Sequence, residues 1–264
     1  MADKPISPRL DVELGRRLHK ALTATGDELF QVLLDPEMQV VRPALKNPSL
    51  HEDHLLALLK RRDLSEDLLK AIYLLEIAKS SHRLQVALVK NPGTPGSVVL
   101  TLLQHLHLFE LVDLCLIPGV TPDQKFAAER AIIQRIPTTE LGNKITLARR
   151  ATATVIGEII KEGEGRLVEI CLNSPRLREV AILQFINSAK SSAETISMIA
   201  RHPKWKSRPN LRFAILKNQR TPAVWFTLFL PQLRTIDVRN LLVSKRLNQA
   251  QKKLIQDELR KRGA

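Results

Sequence analysis

The chain has 264 residues, 44% of them hydrophobic and only 10 of them glycine. That composition fits a helix-rich globular chain with a large core and excludes collagen-like or disordered classes. Its formal charge of +14 is unevenly spread: residues 1–200 carry 25 Lys/Arg against 24 Asp/Glu, whereas residues 201–264 carry 16 against 3. Charge asymmetry of this kind points to an acidic partner for the C-terminal end. The longest apolar-looking stretch, 98–120, is broken by His105, His107, Glu110 and Asp113, so no membrane span is expected. The N-terminal residues lack the apolar core of a signal peptide. The two cysteines, Cys115 and Cys171, lie in apolar helical stretches and read as buried core residues of a reducing compartment. A cytoplasmic location is the expectation.

In chain order, residues 1–8 read as a disordered tail. A first helix is predicted from Arg9 to Ala24, with Leu10, Leu14, Leu18 and Leu22 every fourth residue. A second helix, Leu29–Leu34, ends at Asp35-Pro36. Lys46-Asn47-Pro48 closes a third, and the helix after it, Leu50–Arg61, supplies Leu55, Leu56, Leu58 and Leu59. Asp63–Ala78 is predicted as one helix with Leu64, Leu68, Leu69, Ile72 and Leu75 at core spacing. Thr121 and Gln124 make a capping box that starts a helix at Pro122 and carries it to Ile136. Thr139–Arg150 and Thr152–Glu162 form a weaker pair. The break Lys161–Arg166, rich in glutamate and glycine, is the expected hinge; it divides N-terminal repeats, 9–162, from C-terminal repeats, 163–264. Ser174-Pro175 is expected to open a further helix, and the last helix, Leu247–Lys261, reads as an end cap.

Two stretches restate each other. Leu84–Leu103 and Leu211–Leu230 share Leu, Ala, Lys-Asn, Thr-Pro and a final Leu at a fixed offset. Each predicts a helix closed by Lys-Asn, with lysine at the negative end of the dipole and asparagine tolerating a left-handed turn. Threonine then caps the next helix and proline takes its first position. With Asn47, Asn91, Arg150 and Asn218 as matching positions, separated by 44, 59 and 68 residues, the repeat is irregular. An all-α solenoid of about 12–15 stacked helices is the expected fold.

Asp35-Pro36, Val41-Arg42, Lys46-Asn47-Pro48, Asn91-Pro92, Thr94-Pro95, and Asn218 with Thr221-Pro222 resemble the leucine-rich repeat variant, a bacterial helical repeat related to HEAT and armadillo units. Gln219 stands where the pattern has a proline, and the matches cover about a third of the chain. The resemblance implies a right-handed solenoid of HEAT-like helix pairs used as a binding scaffold. Some relatives carry an iron–sulfur cluster on N-terminal cysteines; no cysteine precedes Cys115 here, so no cofactor is carried over.

His51 and His54 share a helix face, but they lack a third ligand at zinc-like spacing and read as a polar first turn. His105 and His107, two residues apart on an expected helix, point in different directions. No phosphate loop, dinucleotide turn or nucleophile elbow is present, so neither a catalytic nor a metal residue is assigned and a non-enzyme is expected. Arg201–Arg220 holds seven Lys/Arg and no acid, and no carboxylate follows before Asp237. Trp205, between Lys204 and Lys206, either stacks on a base or plugs the groove between two repeats. Trp225, Phe226 and Phe229 read as core. The expected partner surface is Arg201, Lys204, Trp205, Lys206, Arg208, Arg212, Lys217 and Arg220, presented to an acidic protein. Alternatives are sequence-independent binding of nucleic acid by the same residues and, remotely, a helical-repeat DNA glycosylase.

Overall fold

The structure is a computed structural model and describes residues 12–263, so the expected disordered tail, 1–8, lies outside the described residues. Those residues form nineteen α-helices and three short 3-10 turns, with no strand among them. The chain divides into two compact units, Met1–Ala131 and Ile132–Ala264. The first holds α1 (Val12–Thr23), α2 (Asp27–Leu33), α3 (Met38–Ala44), α4 (Glu52–Leu58), α5 (Glu66–Leu74), α6 (Glu76–Ser80), α7 (His82–Lys90), α8 (Gly96–Leu102) and α9 (Leu108–Leu116). Helix α10 (Pro122–Arg135) runs past its end. The second holds α11 (Leu141–Arg150), α12 (Ala153–Ile159), α13 (Gly165–Asn173), α14 (Glu179–Ile186), α15 (Ala193–Arg201), α16 (Pro209–Leu216), α17 (Ala223–Phe229), α18 (Thr235–Leu242) and α19 (Gln249–Lys261). No helix among the described residues is long and apolar enough to cross a membrane.

The two units are copies. Leu84 and Leu211 stand 127 residues apart, and that offset carries α5 onto α15 and α8 onto α17 residue for residue. It carries the N-cap Ser65 onto Ser192, each hydroxyl accepting from the amide three residues on. It also carries the Thr121–Gln124 capping box onto Asn248–Gln251, with reciprocal bonds of 3.0 and 3.2 Å in the first and 3.2 and 2.8 Å in the second. The resemblance between two stretches is therefore one part of a duplication spanning the described chain. The copies differ at α6: its counterpart, Pro203–Ser207, is a turn, and Trp205 takes the place of Ala78.

Within each copy, helices pack on their next-but-one neighbours, as α1 does on α3, α7 on α9, α13 on α15 and α14 on α16. A helix end leaves carbonyls without intrahelical partners, and burying them unpaired is costly. Here a side chain from a later helix pair supplies the donor. Asn47 Nδ2 donates to Ala21 O and Ala24 O at 3.0 and 2.9 Å, and Asn91 Nδ2 to Leu59 O and Arg61 O at 3.0 and 2.7 Å. Asn218 Nδ2 donates to Ile186 O, and Gln251 Nε2 to Gln219 O and Thr221 O at 3.0 and 3.1 Å. Arginines Arg61, Arg176, Arg220 and Arg262 do the same across comparable distances in the chain. These bonds reach back 23 to 32 residues, shorter than the spacing between the asparagines themselves.

This corrects several expectations. The repeat asparagines are not left-handed, because glycines alone have positive φ among the described residues, and Asn91 is extended at φ −82°. Arg150 does not replace Lys-Asn; its carbonyl instead accepts from Arg176 at 2.7 Å, and Ser174-Pro175 holds the Asn47-Pro48 position. Nor does Ser174-Pro175 open a helix: Ser174 Oγ accepts from Arg176 N in a turn, and α14 starts at Glu179. Thr94 and Thr221 cap backwards, their hydroxyls donating to Leu88 O and Ile215 O of the preceding helix, while Pro95 and Pro222 occupy the N-cap positions. The helix number exceeds the expected 12–15 because extended residues such as Leu75, at ψ 138°, split predicted helices into short pieces.

The segment expected to be a hinge, 161–166, lies inside the second unit and is closely packed. Gly163 is left-handed at φ 77°, and a Cβ there would stand 2.6 Å from Lys190 O. Glu162 bridges Lys144 and Lys190 at 2.8 and 3.2 Å, and Glu164 caps α13 by accepting from Leu167 N. Both cysteines are free and buried, and burial pushes each thiol up to about 12. The single tyrosine, Tyr73, is on α5 of the first copy, whereas both tryptophans are in the second.

Candidate partner groove

Positions 209, 210, 213, 214 and 217 recur at helical spacing and form one face of α16 and the residue that ends it. This face, with Leu183 and Asn187 from α14 and both ends of α18, lines a groove of about 1230 Å³. Phe213, Leu183 and Leu233 contribute apolar surface, and Lys217, Arg234, Lys245 and Arg246 contribute positive charge. Asp237 is the one carboxylate in the lining, and Arg234 Nε donates to its Oδ2 at 2.8 Å. Arg246 Nη1 reaches Asn187 Oδ1 at 3.5 Å, and Lys217 Nζ lies 5.9 Å from the Phe213 ring centroid. The groove is thus cationic with an apolar floor.

Of the residues singled out in the sequence, Lys217 lines this groove and Arg208 directly precedes it, 4.0 Å from Glu179. Arg201, Lys204 and Lys206 are exposed. Arg212 Nε donates to Lys206 O at 2.6 Å and its guanidinium lies 5.6 Å from the Phe229 ring centroid. Arg220 is spent on structure, donating to Ala189 O and Ser191 O at 2.9 Å each. Trp205 is a correction. It is only 3% exposed and its Nε1 donates to Leu172 O at 3.0 Å, so it plugs an inter-repeat gap and offers no face to a partner. Trp225 is half-buried, with Nε1 donating to Ser197 Oγ, and Phe226 and Phe229 are core. Burial and then the Lys204 charge push the His202 imidazole below its ordinary value. Arg234, Lys245 and Arg246 lie beyond Arg201–Arg220 and are not among the expected surface residues.

The first copy carries the corresponding cleft, of about 840 Å³, along α7. His82, Arg83, Val86, Ala87 and Lys90 occupy the positions of Pro209, Asn210, Phe213, Ala214 and Lys217; Glu110 stands for Asp237 and Leu56 for Leu183. At this cleft His82, His107 and Glu110 converge, one potential ligand atom from each lying within 4.8 Å of the others. His82 Nε2 is 2.8 and 2.9 Å from the two Glu110 oxygens, and the rings of His82 and His107 are 4.7 Å apart between centroids. Glu110 Oε2 accepts from His107 N at 2.7 Å. Burial pushes the Glu110 carboxyl up, but the His107 amide and the His82 ring outweigh it and hold it below the ordinary glutamate range. The other histidine pair is engaged otherwise: His54 is buried, stacked 4.3 Å from Phe30, with Nε2 3.4 Å from Gly26 O.

Comparison with known protein families found no matching family, and comparison with curated proteins found no matching relative.

Proposed function

We propose that the protein is a non-enzymatic scaffold, a solenoid of HEAT-like helix pairs akin to the leucine-rich repeat variant, that binds an acidic protein segment in the groove of its second copy. The supporting observation is the lining of that groove. Lys217, Lys245 and Arg246 face it without carboxylate partners among the described residues, around a floor that includes Phe213, Leu183 and Leu233. An amphipathic acidic helix meets both demands at once, placing its apolar stripe on the floor and its carboxylates on the rim. The exposed Lys204, Lys206 and Arg208 extend the positive surface beside the start of α16.

Binding of nucleic acid is the second reading, favoured by the 16 to 3 excess of cationic residues in 201–264. Trp205 offers it no stacking face, because that ring is buried. The glycosylase reading has one carboxylate to call on, Asp237, and that group is held by Arg234.

Fluorescence anisotropy with an acidic amphipathic peptide and with single- and double-stranded oligonucleotides separates the readings. The proposal expects peptide binding that Lys217→Glu, Lys245→Glu and Arg246→Glu abolish together. Oligonucleotide binding that falls linearly in log K with log salt, with no peptide binding, selects the nucleic-acid reading.

A further inference from the structure

We propose that His82, His107 and Glu110 bind one divalent transition-metal ion of the zinc class, in the first copy only. Two imidazoles and a carboxylate are a donor set suited to zinc, which takes nitrogen at about 2.0–2.1 Å and carboxylate oxygen at about 2.0–2.2 Å. Ligands of a tetrahedral ion at these bond lengths stand about 3.4 Å apart. The three donor atoms here lie within 4.8 Å of each other, so closing on an ion requires side-chain movement of about an ångström. Two helices already position them. His82 is the first residue of α7, His107 is the N-cap of α9, and Glu110 is anchored in the first turn of α9 by the His107 amide.

The duplication supplies an internal comparison. In the second copy the three positions are Pro209, Arg234 and Asp237. There the carboxylate has a permanent cation, with Arg234 bonding Asp237 at 2.8 Å from the N-cap position. In the first copy that arginine is replaced by His107, and a second imidazole, His82, is added within 2.8 Å of the carboxylate. Neutral imidazoles are metal ligands, and a divalent ion would stand in for the missing guanidinium. His82 and Glu110 also line the cleft, so exchangeable coordination positions would be open to water or to an anion.

The test is calorimetric titration of the full chain, free of any polyhistidine tag, with Zn²⁺, and a parallel titration with Co²⁺ read by its visible absorption. The expected result is one ion per chain and a saturable cobalt band. His82→Ala and His107→Ala should each weaken Zn²⁺ at least about 100-fold, the upper end of what even an outer-shell change costs. Glu110→Gln keeps an acceptor for the α9 cap while removing the anionic ligand, so it should weaken the metal with helical ellipticity unchanged. Binding should also fade on acidification, as protons compete for the ligands. The proposal is overturned if no saturable binding occurs, if binding survives loss of both histidines, or if it disappears instead with His51→Ala and His54→Ala.

Discussion

Asn91 shows how one side chain can hold two helix pairs together. Its Nδ2 closes two carbonyls thirty or more residues back, and its Oδ1 accepts from Gly93 N at 3.0 Å, so one buried amide satisfies three backbone groups. Removing it leaves those groups desolvated and unpaired, a condition that costs about 1–3 kcal/mol per group when water cannot enter. Asn91→Ala should therefore lower unfolding free energy in urea by about 3 kcal/mol or more. A loss under about 0.5 kcal/mol would mean that water replaces the amide and that the bond is not what ties the pairs. The asparagines are conspicuous in the sequence. Their mechanism was not legible, because a side chain reaching back one repeat leaves no local pattern. The same holds for Thr94 and Thr221, whose position before proline is equally compatible with capping forwards or backwards.

At the scale of elements, the corner between α12 and α13 is the sharpest case. A stretch with glycines and charges looked loose, yet Gly163 is left-handed and has a neighbouring carbonyl where a Cβ would go. Gly163→Ala should destabilise by more than about 2 kcal/mol, the left-handed penalty plus a backbone clash. A loss in thermal melts of no more than about 2 kcal/mol would show that the clash with Lys190 O relaxes freely. Glu162 at this corner is held below the ordinary glutamate range, by its bond to Lys144 first and, against burial, by Lys190. A carboxyl whose folded value is lowered contributes stability above its unfolded value, and that contribution is lost as pH falls through the folded one. Acid unfolding below the ordinary glutamate range should therefore be shallower in Glu162→Gln, while the variant is less stable than the parent near neutrality.

Helix positions were the most legible feature, because caps and periodicity are local: the Thr121–Gln124 box and the helix it opens were found where expected. Faces were read less well. A leucine every fourth residue drifts around a helix of 3.6 residues per turn, so α1 buries Ala21 and leaves Leu22 43% exposed.

For the molecule as a whole, duplication accounts for both the legible and the hidden parts of the site. Charge counting located the cationic end and Lys217, but Arg234, Lys245 and Arg246 enter the groove from elements that only the fold brings beside α16. The histidine cluster was hidden for the same reason, since His82 and Glu110 are 28 residues apart. The copies differ at most matched positions, and among these changes Lys60 gives way to Asn187, His107 to Arg234 and Ala78 to Trp205. One scaffold thus displays two differently furnished clefts.

The same uneven placement of aromatic residues makes the chain its own two-channel instrument. With Trp205 and Trp225 confined to the second copy, emission excited at the red edge of the indole band reports that copy alone, while far-UV ellipticity reports both. If the copies melt as separate cooperative blocks, as repeat arrays can, the two signals should follow different urea curves. Asn91→Ala should then shift the ellipticity curve and leave the emission midpoint in place, and Gly163→Ala should move the emission midpoint. Superimposable curves in the parent and both variants would instead mark a single block, in which damage to one cleft is felt in the other.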